Sequence, residues 1–170
     1  KVMEFVGSDD PKAKVDLSGR GDFFNFIPVK EFIVDVDSAH VISTGAVRQY
    51  HADRMLSPLI WKFSNSMAIK DDLAVMDFIA GNNWERPLYY SVTVPASTYI
   101  GLQDYFILEG MAYRVSPVRI DPPVQGETGM VDTREMYENM MNNFRWGNAE
   151  KEGVYLDENN RRMIDVFRRQ

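Results

Sequence analysis

Four carboxylates near predicted turns are the residues of this chain best suited to acid–base chemistry. They are Asp104, Glu109, Asp157 and Glu158. Two facing carboxyl groups can cleave a glycosidic bond, one as the acid and the other as the base or nucleophile. A structural role is the stronger alternative, because Asp157 fits a helix cap while Asp104 and Glu109 fit solvated helix positions. A free-standing carboxylate-dependent hydrolase is therefore the least favoured function.

Other catalytic and metal chemistry finds little support in the sequence. Neither His40 nor His51 has a His or Glu four residues further on, the helical spacing of a metal-binding pair. The absence of cysteine excludes disulfides, thiol catalysis and cysteine metal sites. There is also no Gly-rich phosphate loop and no Gly-x-Ser-x-Gly nucleophile elbow. We predict no catalytic residue, no metal site and no cofactor.

Aromatic residues beside amides point to a third chemistry, the binding of sugars. The candidates are Asn82, Asn83, Trp84, Tyr89, Trp146, Asn148 and Tyr155. An aromatic face can stack on a sugar ring while amide groups pair with its hydroxyls. In the alternative interpretation, Trp84 and Trp146 are buried in the core and the neighbouring asparagines end helices. The sequence leaves both interpretations open.

The stretch 69–94 contains the main elements that must position these residues. An apolar stripe at helical spacing predicts an amphipathic helix, and it consists of Ile69, Leu73, Met76, Ile79 and Ala80. Residues 81–83, Gly-Asn-Asn, should end this helix because Gly and Asn tolerate the left-handed conformation. A strand is predicted at 88–94, where β-formers follow Pro87.

Further patterns predict the elements around this unit. Runs of apolar and β-branched residues predict strands at 23–36, 41–44, 59–63 and 111–115, and either a strand or a trailing connection at 1–6. Residues 64–66 should cap the central helix, and 102–108 should be helical. Another helix opens at Asp132, where Glu135 has the spacing of a capping box. Its expected buried stripe comprises Met136, Tyr137, Met140, Met141 and Phe144.

These elements predict a single α/β domain with a mixed β-sheet of about five strands and helices packed on it. Residues 1–22 would be an N-terminal connection and exposed loop, residues 23–156 the α/β core, and residues 157–170 a C-terminal helix. The length of 170 residues suits one domain. The net charge of −6 argues against nucleic acid as a partner. Because the chain begins with Lys1, we expect it to be a trimmed piece of a longer protein.

Four motifs occur in one order along nearly the whole chain. They are NNWERPLYY at 82–90, LEGMAYR at 108–114, MYENMMNNFRWGN at 136–148 and YLDE at 155–158. Together they resemble the carboxy-terminal soluble region of a bacterial family of large multi-pass membrane proteins of unknown function. The membrane half of that family is similar to the protein O-mannosyltransferases, which have a GT-C glycosyltransferase fold and use lipid-linked sugar donors.

The resemblance implies a non-catalytic accessory domain on the periplasmic or extracytoplasmic face of a membrane. The catalytic acid of GT-C enzymes lies in the membrane half, so no catalytic residue is transferred to this chain. The implied partners are the membrane-embedded half of the same parent chain and a glycan or acceptor protein. The family often continues into helical repeats, which residues 157–170 would introduce. A structural or protein-interaction domain without a ligand is the alternative function.

Overall fold

A computed structural model describes residues 2–25, 27, 29–65, 67–120 and 128–145, and the single helical positions 158, 161, 164, 165 and 168. The α-helices are α1 (Val2–Val6), α2 (Ser38–Ser43), α3 (Lys70–Asn82) and α4 (Thr133–Glu138). A π-helical turn, Asn139–Asn143, continues α4. The strands are β1 (Lys14–Asp16), β2 (Phe23–Asn25), β3 (Glu31–Val34), β4 (Leu59–Lys62), β5 (Leu88–Ser91), β6 (Phe106–Leu108), β7 (Ala112–Val115) and β8 (Met130–Val131). Short 3-10 helices are Pro11–Ala13, Gln49–Arg54, Ala96–Tyr99 and Leu102–Tyr105.

The strands form one mixed sheet and two antiparallel pairs. The mixed sheet has the order β5-β7-β6-β8, in which β7 is antiparallel to both neighbours and β8 is parallel to β6. β1 pairs with β2, and β3 pairs with β4. The predicted α/β fold with a mixed sheet is confirmed. Its mixed sheet contains four strands, and the strands predicted within 23–36 and at 59–63 belong to the separate pairs.

The two faces of the mixed sheet have opposite character. One face carries an aromatic cluster in which Phe106 stacks on Tyr113 at 5.3 Å between ring centroids and contacts Tyr90 at 5.1 Å. This cluster joins the buried core around Trp61 of β4. Because side chains alternate along a strand, Arg114 of β7 lies on the opposite face. That face holds charged groups as well as the apolar Ile107, which is the cross-strand partner of Arg114.

Helices occupy two stretches for which the sequence predicted otherwise, namely a strand or trailing connection at 1–6 and a strand at 41–44. The stretch 1–6 contains α1, whose end is closed by the Ser8 hydroxyl donating to the Phe5 carbonyl at 2.7 Å. The stretch 41–44 belongs largely to α2, because the Asp37 carboxylate accepts the N–H groups of Ala39 and His40 and begins a helix there. Val41, a β-former, is fully buried in that helix. Capping and burial thus outweigh its strand propensity.

The stretch 102–108 was predicted to be one helix, and it divides into a 3-10 turn and strand β6.

The predicted central helix is confirmed as α3, and it ends at Asn83, which has a left-handed φ of 45°. Its cap is not residues 64–66: the Asp72 carboxylate accepts the Ile69 N–H at 3.1 Å. The stripe on α4 is only partly buried, since Met136 is buried and Tyr137 and Met141 are exposed.

Two glycines provide a matched test of how tightly the chain packs beside β4. Gly101 has φ +93°, and a Cβ there would lie 2.0 Å from the Lys62 carbonyl oxygen. Gly81 is helical and has nothing within 4 Å of its Cβ position. We expect Gly101→Ala to destabilise the chain by more than about 1 kcal/mol, because alanine disfavours positive φ and would clash. Gly81→Ala should stabilise it by about 0.5–1 kcal/mol.

Urea denaturation followed by tryptophan fluorescence measures both changes. An unfolding midpoint of Gly101→Ala equal to that of the parent chain would contradict the close approach of residue 101 to β4.

Candidate functional site

A groove lies between β3 and the C-terminal half of α3, and we call it the α3 groove. Its volume is about 660 Å³, within the range typical of ligand sites. One side is formed by four consecutive residues of β3 and its end, namely Phe32, Ile33, Val34 and Asp35. The other side and the floor comprise Trp61, Met76, Asp77, Ile79, Ala80, Gly81, Asn83 and Trp84, with Glu4 of α1 nearby.

The end of α3 is fixed by a tight polar turn. Asn83 and Trp84 both have left-handed backbone, with φ values of 45° and 60°. The Asn82 side chain accepts the Arg86 N–H at 3.2 Å and donates to the Arg86 carbonyl at 2.6 Å. The Asn83 carbonyl is hydrogen-bonded to Nε2 of His40 at 3.0 Å. These contacts hold the indole of Trp84 against β3.

Trp84 lies at the base of the α3 groove and is largely buried. Only 8% of it is exposed, and its Nε1 donates to the Asp35 carbonyl at 2.9 Å. This is the placement described by the core alternative of the sequence analysis. Asn83 is exposed at the rim and Asn82 is half-buried. Of the predicted sugar-binding residues, Asn83 and Trp84 thus line this groove, and Asn83 is more accessible than the aromatic ring. Asn82 is not a lining residue, because its side chain is bonded to the Arg86 backbone.

The other predicted sugar-binding residues do not join this groove. Tyr89 lies on β5, with 44% of its surface exposed, and its hydroxyl donates to Glu109 at 3.2 Å. Trp146, Asn148 and Tyr155 lie outside the described residues. Sugar binding by any of these side chains stays a prediction.

The polar face of the mixed sheet holds a set of ionisable residues that we call the charged cluster. Its members are Arg48, Tyr50, His51, Tyr89, Glu109, Arg114, Asp132 and Glu135. At its centre the fully buried Arg114 lies 2.6 Å from the Glu109 carboxylate, measured from Nη2 to Oε1. Its other terminal nitrogen donates to the Gly45 carbonyl.

Glu109 departs from the solvated helix position that the sequence predicts. Gly110, with φ +93°, forms the β6–β7 turn, in which the Glu109 N–H donates to the Ala112 carbonyl. This turn directs Glu109 back over the sheet, where it is buried between Arg114 and Arg48. Burial raises the pKa of the Glu109 carboxyl, against the opposing effect of the two arginines. Asp104, in contrast, is exposed as expected.

Asp132 fastens α4 to the 3-10 helix Gln49–Arg54. Its carboxylate accepts the Tyr50 hydroxyl at 2.7 Å and lies 3.1 Å from Nε2 of His51, and it also accepts the Glu135 N–H. Burial acts to raise the pKa of the Asp132 carboxyl, but hydrogen bonds from Tyr50, Glu135 and His51 hold that pKa below its usual value. Arg48 completes the link by donating to Glu135 at 3.1 Å.

The charged cluster pairs its carboxylates with cations and hydroxyls, so its chemistry is mutual neutralisation of buried charge. Sequence reasoning missed the contributions of Arg48, Tyr50 and Arg114 to it. The sequence indicated Glu109 as a candidate carboxylate, Tyr89 as a candidate sugar-binding residue, and Asp132 with Glu135 as a capping box, but it did not indicate that they meet. Within the described residues there is no group of three or more His, Asp or Glu side chains able to hold a metal ion.

Comparison with known proteins identifies the family. Residues 1–135 match the family TMEM260-associated domain 2. The chain belongs to this family. No curated protein and no solved structure matches the chain. The match links this TMEM260-associated domain to a membrane protein family, and it covers α1 through the first three residues of α4, including both the α3 groove and the charged cluster. No helix in the described part of the domain has the length and apolar character needed to cross a bilayer.

Removing the Glu109 charge should destabilise the domain strongly. Glu109→Gln leaves the fully buried Arg114 without its carboxylate, and breaking a buried pair in this way costs about 3–5 kcal/mol. Glu138→Gln is the matched control, since Glu138 is exposed and an exposed substitution changes stability by less than about 0.5 kcal/mol. Urea unfolding of both variants gives the comparison. Equal stability of Glu109→Gln and the control would contradict a stabilising role for the pair.

Asp132 should make the stability of the domain depend on acidity. The pKa of the Asp132 carboxyl in the folded state lies below the usual 3.8. The ionised carboxylate therefore contributes fully to the free energy of unfolding above pH 3.8, and this contribution is lost as the pH falls through the folded-state pKa. Asp132→Asn keeps the cap acceptor and removes the charge. Its free energy of unfolding should fall below that of the parent chain by about 1–3 kcal/mol at neutral pH. The two curves should converge in acid, and a gap that stays constant with pH would contradict this.

Proposed function

We propose that this chain is a non-catalytic accessory domain on the extracytoplasmic face of a membrane-embedded glycosyltransferase-like protein. Membership of the TMEM260-associated family supports an accessory role in a membrane protein. The glycosyltransferase assignment and the extracytoplasmic location derive from the resemblance of the four motifs to a family whose membrane half is similar to the protein O-mannosyltransferases. In this proposal the catalytic residues belong to the membrane half of the parent chain.

The α3 groove is the surface on which the domain engages the glycan or acceptor of that enzyme. It supports this role because hydrogen-bonding groups lie on both sides of the groove and aromatic rings form the base. Asp35, Asp77 and Asn83 supply acceptors and an amide at the rim, and Trp84 supplies apolar surface below them. This combination of a few polar groups over an apolar base is typical of ligand sites.

The membrane-embedded half of the parent chain is the proposed partner of a second surface. A groove of about 720 Å³ lies between the β1–β2 pair and the approach to α3, and most of its lining is apolar. Leu17, Phe23 and Met67 at this groove are each at least 65% exposed. Exposed apolar patches of this kind mark interaction sites. We call it the ribbon groove.

A structural or protein-interaction role without a glycan is the second candidate function. It is favoured by Tyr137 and Met141, which lie one helical turn apart and are both 65% exposed. Met adapts its shape to irregular partner surfaces. A partner recovered with the domain, in the absence of any glycan or acceptor contact, would support this function.

The location and size of the native protein test the proposed function. An antibody against the domain, applied to membrane and soluble fractions of the source cells, should detect a membrane-bound species much larger than 19.6 kDa. Protease added to spheroplasts, from which the outer membrane has been removed, should cleave the domain from the membrane half, because the domain lies outside the cytoplasm. A soluble species of the domain's own size, or protection from protease in spheroplasts, would contradict the proposal.

The same membranes test the ribbon groove. After cleavage, the parent domain should stay on washed membranes through its apolar contact, whereas Phe23→Ser should be released. Tyr137→Ser, which is equally exposed but lies on α4, is the matched control and should remain bound. Release of both variants or of neither would exclude the ribbon groove as the contact.

A further inference from the structure

β3 is an edge strand whose outer side lines the α3 groove. The Phe63 N–H donates to the Lys30 carbonyl at 2.8 Å, so the pair Lys30/Phe63 is hydrogen-bonded. Bonded and non-bonded pairs alternate in an antiparallel ladder, and Ile33 is opposite Ile60 in the register. Glu31 and Ile33 therefore direct their N–H and C=O groups away from β4. Among the described residues no other strand pairs with β3 on that side.

The two edges of the β3–β4 pair differ in how far other parts of the protein cover them. The outward carbonyl of Ile60 on β4 accepts the Tyr105 hydroxyl, and Gly101 lies against the Lys62 carbonyl. The β4 edge is thus covered by the protein itself. On β3 the indole of Trp84 occupies only the end of the strand, at the Asp35 carbonyl. The edge at Phe32 and Ile33 adjoins the groove instead.

The far wall of the α3 groove leaves room beside this edge. The wall is formed by α3 at Asp77, Ala80 and Gly81, and a Cβ on Gly81 would meet nothing within 4 Å. A strand edge facing a helix across a groove is the arrangement in which an extended peptide can join a sheet. Backbone groups pointing outward at every second residue match the spacing of such a peptide.

The charge of the groove indicates the kind of peptide. Its charged lining residues in the described part of the chain are Glu4, Asp35 and Asp77, all of them acidic. Ile33 beside them is exposed and pairs across the strands with the exposed Ile60. Cationic side chains alternating with apolar ones would complement this surface, since successive side chains of a strand face opposite directions.

We propose that an extended, positively charged peptide segment binds in the α3 groove by adding as a strand to the free edge of β3. The inference rests on the proposed function and specifies its ligand as a polypeptide acceptor rather than a glycan. The backbone of Ile33 supplies the hydrogen bonds, and Asp35 and Asp77 select for positive charge. Trp84 ends the binding edge because its Nε1 already occupies the Asp35 carbonyl.

Synthetic peptides test the proposal on the purified chain. The probe is a fluorescent, capped heptapeptide of alternating Lys and Val, with binding measured by anisotropy at low salt. An otherwise identical peptide of alternating Glu and Val should bind at least about tenfold more weakly. N-methylation of alternate backbone nitrogens on the bonding side keeps the charge but removes the donors. It should also weaken binding by about tenfold, the effect of losing a few net hydrogen bonds.

Variants of the chain locate the binding to the groove. Gly81→Phe should fill the groove and raise the Kd of the Lys-Val peptide by at least about tenfold, while Gly81→Ala should leave it within about twofold. Ile33→Pro removes the outward N–H but no ladder bond, because proline is tolerated where the N–H of an edge strand faces solvent, and it should weaken binding similarly. The thermal midpoint of each variant verifies that the fold is intact.

Other outcomes would overturn the proposal. Equal binding of the Lys-Val peptide and its N-methylated form would reduce the interaction to charge alone. Binding unaffected by Gly81→Phe would place it outside the groove. A mannopentaose that binds and is lost in Gly81→Phe, with no peptide binding, would assign the groove to a glycan. In that case the membrane location and the accessory role would still stand, so the two proposals fail separately.

Discussion

A fully buried guanidinium on the central strand of the mixed sheet is the constraint on which much of this domain depends. Arg114 has no access to water, and a buried charge is stable only when it is paired. Glu109 provides the carboxylate, and the Gly45 carbonyl accepts a hydrogen bond from Nη1. The β6–β7 turn and the segment after α2 must therefore lie over the same face of the sheet. Arg48 and Glu135 extend the pairing outward to α4.

The two faces of the mixed sheet are stabilised by different kinds of interaction. The polar face uses directional pairing to fix the segments around residues 45–51 and 132–139, and Asn139 contributes by donating to the Glu109 carbonyl at 3.1 Å. The opposite face uses aromatic packing around Phe106 to hold β4 and, through it, β3. The α3 groove is thus supported by the apolar core, at a distance in sequence from the charges. None of its lining residues takes part in the ion pairs of the charged cluster.

The proposed function uses a feature that proteins commonly suppress. Free strand edges promote aggregation, so proteins cover, charge or shorten them. Here β4 is covered by Tyr105 and Gly101, while the edge of β3 is left beside a helix and three carboxylates. In the proposed binding mode, negative charge along the groove would limit indiscriminate pairing and select the strands that can enter. An accessory domain of a membrane protein that engages acceptors would need such an adaptable but selective surface.

The sequence by itself determined the helix α3, the strands β4, β5 and β7, and the cap at Asp132, because each depends on local periodicity or on a short-range signal. It also determined the α/β class, and its resemblance to a membrane-protein family agrees with the match to a TMEM260-associated domain over residues 1–135, which contain the first two motifs. Where local signals were weaker than burial, prediction failed. Val41 and its neighbours are β-formers held in α2, and Tyr137 and Met141 follow a helical stripe that the core does not cover.

Only the tertiary structure decided which polar residues meet. Arg48, Tyr50, Glu109, Arg114 and Asp132 are separated by up to 84 positions, and no spacing rule connects them, because their pairing follows from the β7 register and the Gly110 turn. The same holds for the α3 groove. The sequence indicated Asn82, Asn83 and Trp84 as a site, but the free edge of β3 and the burial of the indole depend on how β3 lies against α3. Long-range packing, which local patterns do not encode, sets both.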